Sequence, residues 1–232
     1  MKSILLLGLL MGMRHAMEAD HLAAVASLAT RSRGVRGTVL RGAVWGLGHT
    51  LTLGLVGGLC LLLGAAIPER VAQALELSVG LMLVVLGTEV LWRLYRRRIH
   101  VHVHRHSDGT VHLHAHSHAP AEVHDPSHHH HPHPEGFPGR ALVVGMVHGL
   151  AGSAALVLIT LSGVGSPGLG LIYIGLFGVG SVLGMAALSA VIAVPLHGAA
   201  RLLTGMVNGL ETVIGLSTVG IGLWVLYKMW PV

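Results

Sequence analysis

The chain has 232 residues, 52% of them hydrophobic and only 11% charged, with 33 glycines and a mean hydropathy of +0.69. That balance excludes a soluble globular core and predicts an all-α polytopic membrane protein, since about 20 consecutive apolar residues cross a bilayer. The net charge of +5 and pI near 10.1 would point to nucleic acid in a soluble chain. Here the arginines cluster between apolar segments, so the expected partner is the lipid bilayer and no nucleic acid is expected.

Six spans are predicted in chain order: Ser3 to Leu28, Val39 to Ile67, Leu75 to Leu94, Ala141 to Gly163, Gly168 to Val194 and Val207 to Trp230. The first begins like a secretory leader, with Lys2 ahead of Ile4 to Leu10. No A-x-A cleavage pattern follows, and apolar character resumes after His21, as in a spanning helix. Arg31, Arg33, Arg36 and Arg41 separate spans one and two. Arg93, Arg96, Arg97, Arg98, Arg105 and Arg140 flank the third connection, and Arg201 lies between spans five and six. The positive-inside rule makes these connections cytoplasmic and leaves both termini outside, with the protein in the cytoplasmic (inner) membrane. Cys60 is the sole cysteine, which excludes a disulfide framework or a cysteine metal site and reads as a small packing residue.

Arg14-His15-Ala16-Met17-Glu18-Ala19-Asp20-His21 lies inside the first span. Ionisable groups there cost about 2.5 kcal/mol or more each, so they mark an ion or substrate path by default. On a regular helix Asp20 and His21 fall about 140 and 120 degrees from His15 in opposite senses, with Glu18 on the His15 to His21 stripe. No straight helix offers all of them to one ion. Either Asp20 supports the site from behind a ligand, or the helix is locally unwound. His49 in span two and His148 in span four are the natural additional ligands. Glu76, Glu89 and Glu211 read as interfacial, His197 as a surface residue, and Met11, Met13, Met17 and Met146 as packing.

The two halves resemble each other. Gly12-Met13-Arg14-His15 recurs 133 residues on as Gly145-Met146-Val147-His148. Gly46-Leu47-Gly48 recurs at 132 as Gly178-Val179-Gly180, with Ser181 in place of His49. Glu76, Gly80, Leu81 and Gly87 recur at 135 as Glu211, Gly215, Leu216 and Gly222. Three spans per repeat invert the second copy, the plan of many secondary transporters. The expected units are a first three-helix repeat (1–98), a His-rich soluble loop (99–138) and a second three-helix repeat (139–232).

The loop carries fourteen of the nineteen histidines. His100, His102, His104 and His106, then His112, His114 and His116, alternate with mostly apolar residues around Ser107-Asp108-Gly109 and predict a β-hairpin over 99–116. A three-residue turn pairs His104 with His112, His102 with His114 and His100 with His116. Opposed imidazoles of this kind would chelate a borderline metal, Zn²⁺ included. His128, His129, His130 and His131 form a proline-broken, low-complexity tract.

Mixed imidazole and carboxylate ligands favour a first-row transition metal over Mg²⁺ or Ca²⁺. Arg14 to His21, with its His-x4-Asp-His core, resembles the signature helix of the NiCoT nickel/cobalt transporters. Gly48-His49-Thr50 is similar to that family's second-helix element, and Val147 to Leu156 resembles its short, urease-accessory-type branch. The resemblance covers most of both membrane halves. It implies passage of Ni²⁺ or Co²⁺, with His15, Asp20, His21 and His49 on the metal path. It departs from the longer members, which have eight spans and a Leu-Gly-x-Asp-Thr-Ala-Thr-Glu element that Leu86-Gly87-Thr88-Glu89 only faintly echoes.

The resulting expectation is a non-enzymatic permease without a cofactor, in which His15, Glu18, Asp20, His21, His49 and His148 hold a transported Ni²⁺ or Co²⁺. A homo-oligomer is compatible with it. No nucleotide-binding G-x-x-x-x-G-K-[ST] loop is present. Export rather than import, and an intramembrane zinc-dependent hydrolase with Ser153 as a polar partner, are the alternatives.

Overall fold

A computed structural model describes residues 2–32, 34–96, 99–105, 111–117, 138–163, 166–199 and 204–230. Among them are seven helices and one hairpin: α1 (Lys2–His15), α2 (Ala19–Ala29), α3 (Val35–Leu63), α4 (Glu69–Arg96), β1 (Ile99–Arg105), β2 (Val111–Ser117), α5 (Gly139–Gly163), α6 (Pro167–Ala199) and α7 (Thr204–Met229). Four helices, Val35–Leu63, Glu69–Arg96, Pro167–His197 and Val207–Met229, are long and apolar enough to cross a membrane. Their outward faces are apolar, as with the exposed Leu47, Leu51, Leu55, Leu59 and Leu62 of α3. Exposed Trp92 and Tyr95 near the end of α4, and Trp224, Tyr227 and Trp230 near the end of α7, are the amphipathic aromatics found at membrane interfaces.

The helix count corrects the six-span expectation in one place. Ser3 to Leu28 is not one helix: it breaks after His15 and restarts at Ala19. The amides of Met17 and Glu18 bond back three residues, to Arg14 O at 2.9 Å and His15 O at 3.1 Å, and Glu18 is extended (φ −65°, ψ 151°) before the amide of Leu22 returns to its carbonyl at 2.8 Å. Ala16, Met17, Glu18 and Ala19 are all good helix formers, so propensity does not cause the break. Its tertiary surroundings do: the unwound turn lets Asp20 and His21 face inward together with His15. Helix α6 also outruns the expected span, continuing through Pro195 to Ala199.

Short α2 sits in the middle of the bundle, with Ala23, Ala24, Val25 and Leu28 buried against Val44 and Trp45 of α3, Val79, Leu83 and Leu86 of α4, and Met185 of α6. Ser27 Oγ lies 2.9 Å from Thr218 Oγ1 and ties α2 to α7.

Backbones approach closely at glycines, as in other membrane bundles. Gly48 lies against the backbone of Leu142 and Met146, and Gly145 against that of Trp45 and His49, so α3 and α5 run parallel. Gly12 lies against Phe177 and Ser181, and Gly180 against Leu9 and Met13, so α1 and α6 run parallel. Gly80 meets Gly222 and Gly87 meets Gly215, so α4 and α7 run antiparallel. The start of α4 therefore lies beside the end of α7. Helix α3 ends on Gly64 (φ 61°), whose amide bonds Leu61 O at 3.3 Å while that of Ala65 bonds Cys60 O at 2.9 Å, a left-handed cap that glycine adopts without strain.

In the hairpin, β1 and β2 are antiparallel, with His100 opposite His116, His102 opposite His114 and His104 opposite His112. That is the register of the three-residue turn. His106 and His128 to His131 lie outside the described residues.

Candidate functional site

The two ends of the broken first segment build the centre of the site. His15 closes α1 and Glu18 precedes α2, with His15 Nδ1 3.1 Å from Glu18 Oε1. Asp20, in the first turn of α2, accepts the His21 amide at 2.9 Å and stands 3.0 Å from His21 Nδ1. Its other oxygen, Oδ2, lies 2.9 Å from His148 Nε2 on α5. Each carboxylate thus occupies one nitrogen of an imidazole and fixes the ring, while the α2 N-terminus favours the negative charge of Asp20. Asp20 both supports the rings and sits beside an unwound turn, so the two alternatives left open by helical geometry occur together.

The nitrogens turned away from the carboxylates converge. His15 Nε2, His21 Nε2, both nitrogens of His49 and His148 Nδ1 are buried without a hydrogen-bond partner. One ligand nitrogen from each of His15, His21 and His49 lies within 4.8 Å of the others, as do one ligand atom each from Asp20, His21 and His148. Ring centroids are 4.3 Å apart for His15 and His21, 5.2 Å for His21 and His49, and 4.2 Å for His21 and His148. His21 is the member common to both groups. A buried polar atom without a partner costs about 1–3 kcal/mol, and five in one place identify a site shaped for something other than packing. The donor set, imidazole nitrogen with carboxylate behind it, is that of a first-row transition-metal site.

The surroundings contain residues that the sequence reading passed over. The Trp45 ring is fully buried, with its centroid 5.4 Å from those of His21 and His148. Phe177 lies 5.3 Å from His15. A side chain at Gly152 would stand 3.7 Å from His15 Nε2, so glycine keeps that flank clear. Trp45 and Phe177 are 132 residues apart, the offset of the surrounding repeat, and extending the repeat to aromatic positions would have singled them out. Thr52 Oγ1, which donates to Met146 O at 2.9 Å, holds α3 to α5 next to His49 and His148.

A cavity of about 560 Å³ reaches from His15, His21 and His148 to Arg14, Glu76 and Lys228. Glu76 is therefore a wall residue of this cavity and not simply interfacial, because α4 brings its third turn beside the end of α7. Two other sequence expectations change. Glu211 is 5% exposed, enclosed within the bundle instead of at its surface. His197 is half-buried, its Nε2 3.2 Å from Thr38 Oγ1, because α6 continues past Pro195 and lays it against α3. Glu89 stays near a helix end and pairs with Arg31 and Arg140. Burial, together with the guanidiniums of Arg140, Arg93 and Arg41, pushes Arg31 down to about 10, so it remains a cation at neutral pH. Ser153 has no described side chain.

Fold and site together define a polytopic helical membrane protein with four imidazoles and two carboxylates gathered at a helix break. Over 200 residues the chain is 35% identical to the urease accessory protein UreH of Bacillus sp. (strain TB-90), covering 86% of this chain and 80% of that protein. It belongs to the UreH family of urease accessory proteins. No family model matches the chain, and no solved structure matches it.

Proposed function

We propose that the protein is a permease for divalent transition-metal ions, Ni²⁺ or Co²⁺, in the cytoplasmic membrane. The observation that carries this reading is the convergence of unpartnered nitrogens from His15, His21 and His49 at the inner end of the cavity. Glu18 and Asp20 hold the rings of His15 and His21 by their Nδ1 atoms and leave each Nε2 for the ion, and His148 completes the set. The resemblance of Arg14 to His21 to the NiCoT signature, and the relationship to a urease accessory protein, both favour nickel as cargo.

The architecture in this proposal is two inverted repeats of three spans, α1 with α2, α3 and α4 against α5, α6 and α7. Glycine contacts support it, since they exchange in pairs. Gly12 on Phe177 and Ser181 corresponds to Gly145 on Trp45 and His49, Gly180 on Leu9 and Met13 to Gly48 on Leu142 and Met146, and Gly80 on Gly222 to Gly215 on Gly87. Each partner is displaced by 132 to 135 residues. The arginine-rich connections and the His-rich loop are cytoplasmic in this reading, the termini outside, and the loop is an accessory that gathers metal.

The test is Ni²⁺ and Co²⁺ flux in proteoliposomes for the full chain, for His15→Ala and for a deletion of 99–138. Flux that survives the deletion and is lost in His15→Ala supports the permease. A wild-type protein that moves no ion and retains one tightly held Zn²⁺ overturns it in favour of the hydrolase.

A further inference from the structure

The polar cluster divides into two sets that share one ring. His15, His21 and His49 form the first, and Asp20, His21 and His148 the second; in each, the ligand atoms lie within 4.8 Å of one another. His21 presents Nε2 to the first set and Nδ1, 3.0 Å from Asp20 Oδ1, to the second. His148 Nδ1 is buried and unpartnered, while its Nε2 already meets Asp20 Oδ2 at 2.9 Å. One ion cannot take all six donors, because the centroids of His49 and His148 are 6.1 Å apart, whereas first-row metals bind imidazole at about 2 Å.

The two sets also differ in access. His15 keeps 16% of its side-chain surface exposed at the cavity, whereas the His148 side chain keeps 2%. Phe177, beside His15, lines the cavity. Trp45, beside His148, is fully enclosed. His15 and His148 stand at one repeat offset and Phe177 and Trp45 at another, 133 and 132, so each half supplies a histidine covered by an aromatic ring of the other half's kind of helix. One cover borders the open cavity and the other seals the opposite side.

We propose that the protein holds two successive metal stations: an entry station of His15, His21 and His49 under Phe177, and a second station of Asp20, His21 and His148 under Trp45. A divalent ion passes between them by exchange at His21, whose ring serves both. No bond to hydrogen is made in the transfer beyond release of the Asp20 contacts, and the ion keeps its charge throughout. Only one station is filled at a time, since two dications a few Å apart repel strongly in a low-dielectric interior. This inference rests on the permease reading.

The experiment compares Ni²⁺ binding and Ni²⁺ flux in the full chain with those of His49→Ala, His148→Gln and His148→Cys. Metal bound by residues 99–138 is common to all four and cancels. We expect His49→Ala to lose tight binding and flux together. His148→Gln should keep tight binding within about 3-fold and lose flux by about 10-fold or more, the scale on which altered metal ligation acts. His148→Cys, which returns a donor atom, should recover flux above the Gln variant, a difference that a purely structural role for His148 would not produce. A His148→Gln variant that loses tight binding as His49→Ala does, or that transports like wild type, overturns the two-station proposal while leaving a single-site permease standing. Wild type with neither tight binding nor flux overturns the permease reading itself.

Discussion

Asp20 and His148 are 128 residues apart in sequence, and Asp20 Oδ2 meets His148 Nε2 at 2.9 Å. Since Asp20 also takes the Nδ1 and the amide of His21 at 3.0 and 2.9 Å, one carboxylate fixes the two rings whose centroids lie 4.2 Å apart. We expect Asp20→Asn to weaken Ni²⁺ binding by about 10- to 100-fold, as lost support of a metal-ligating histidine does. Asp20→Ala, which leaves both imidazoles without a partner, should weaken it further. Calorimetric Ni²⁺ titration of the purified variants measures both.

Glu18 has a lesser part. Its carboxylate meets His15 Nδ1 at 3.1 Å but is 57% exposed, and exposed pairs contribute about 0–1 kcal/mol. Glu18→Gln should therefore reduce Ni²⁺ affinity by less than about 10-fold, less than either Asp20 variant. A loss as large as that of Asp20→Ala would place Glu18 among the direct ligands.

The glycine crossings set the positions of His49 and His148. A side chain at Gly145 would run into the carbonyl of Trp45, while one at Gly54 meets nothing within 4 Å. Gly145→Leu should destabilise the protein by about 1–3 kcal/mol or more, the cost of overpacking, and abolish metal binding by separating α3 from α5. Gly54→Ala should change stability by no more than about 1 kcal/mol, the scale of helix propensity. Thermal denaturation in detergent, followed by Ni²⁺ titration, separates the two outcomes.

At the arginine-rich end, Glu89 links Arg31 and Arg140, side chains that are 25% and 45% exposed. Solvent screening reduces what such pairs contribute to about 1 kcal/mol or less. Glu89→Gln should lower the unfolding temperature slightly and leave tight Ni²⁺ binding intact. Loss of binding in this variant would show that the clamp shapes the site from a distance.

Much of this arrangement was legible in the sequence. Ionisable residues in an apolar run selected His15, Glu18, Asp20 and His21, and the internal repeat selected His148 as the counterpart of His15. The helix break was legible only as one of two alternatives, because Ala16 to Ala19 favour a continuous helix and the cause lies in contacts with α3 and α5. Glu76 and Glu211 were misplaced for a related reason. Position along a span gives depth, but the face a helix turns toward its neighbours depends on packing, which puts one of these repeat-related carboxylates on a cavity wall and the other inside the bundle. Trp45 carries no motif, and its place between His21 and His148 emerges only from the α3 and α5 crossing. His197 was read as lying past the end of a helix that in fact continues through Pro195.

The most direct test of the central claim is the X-ray absorption spectrum of Ni²⁺ bound to the full chain at one equivalent, compared with His21→Ala. The histidines at the helix break are the tightest donors in this account, so the wild-type spectrum should carry imidazole scattering that His21→Ala removes. An unchanged spectrum in His21→Ala, with the signal disappearing on deletion of 99–138 instead, would locate tight binding in the His-rich loop and contradict a metal path through the membrane helices.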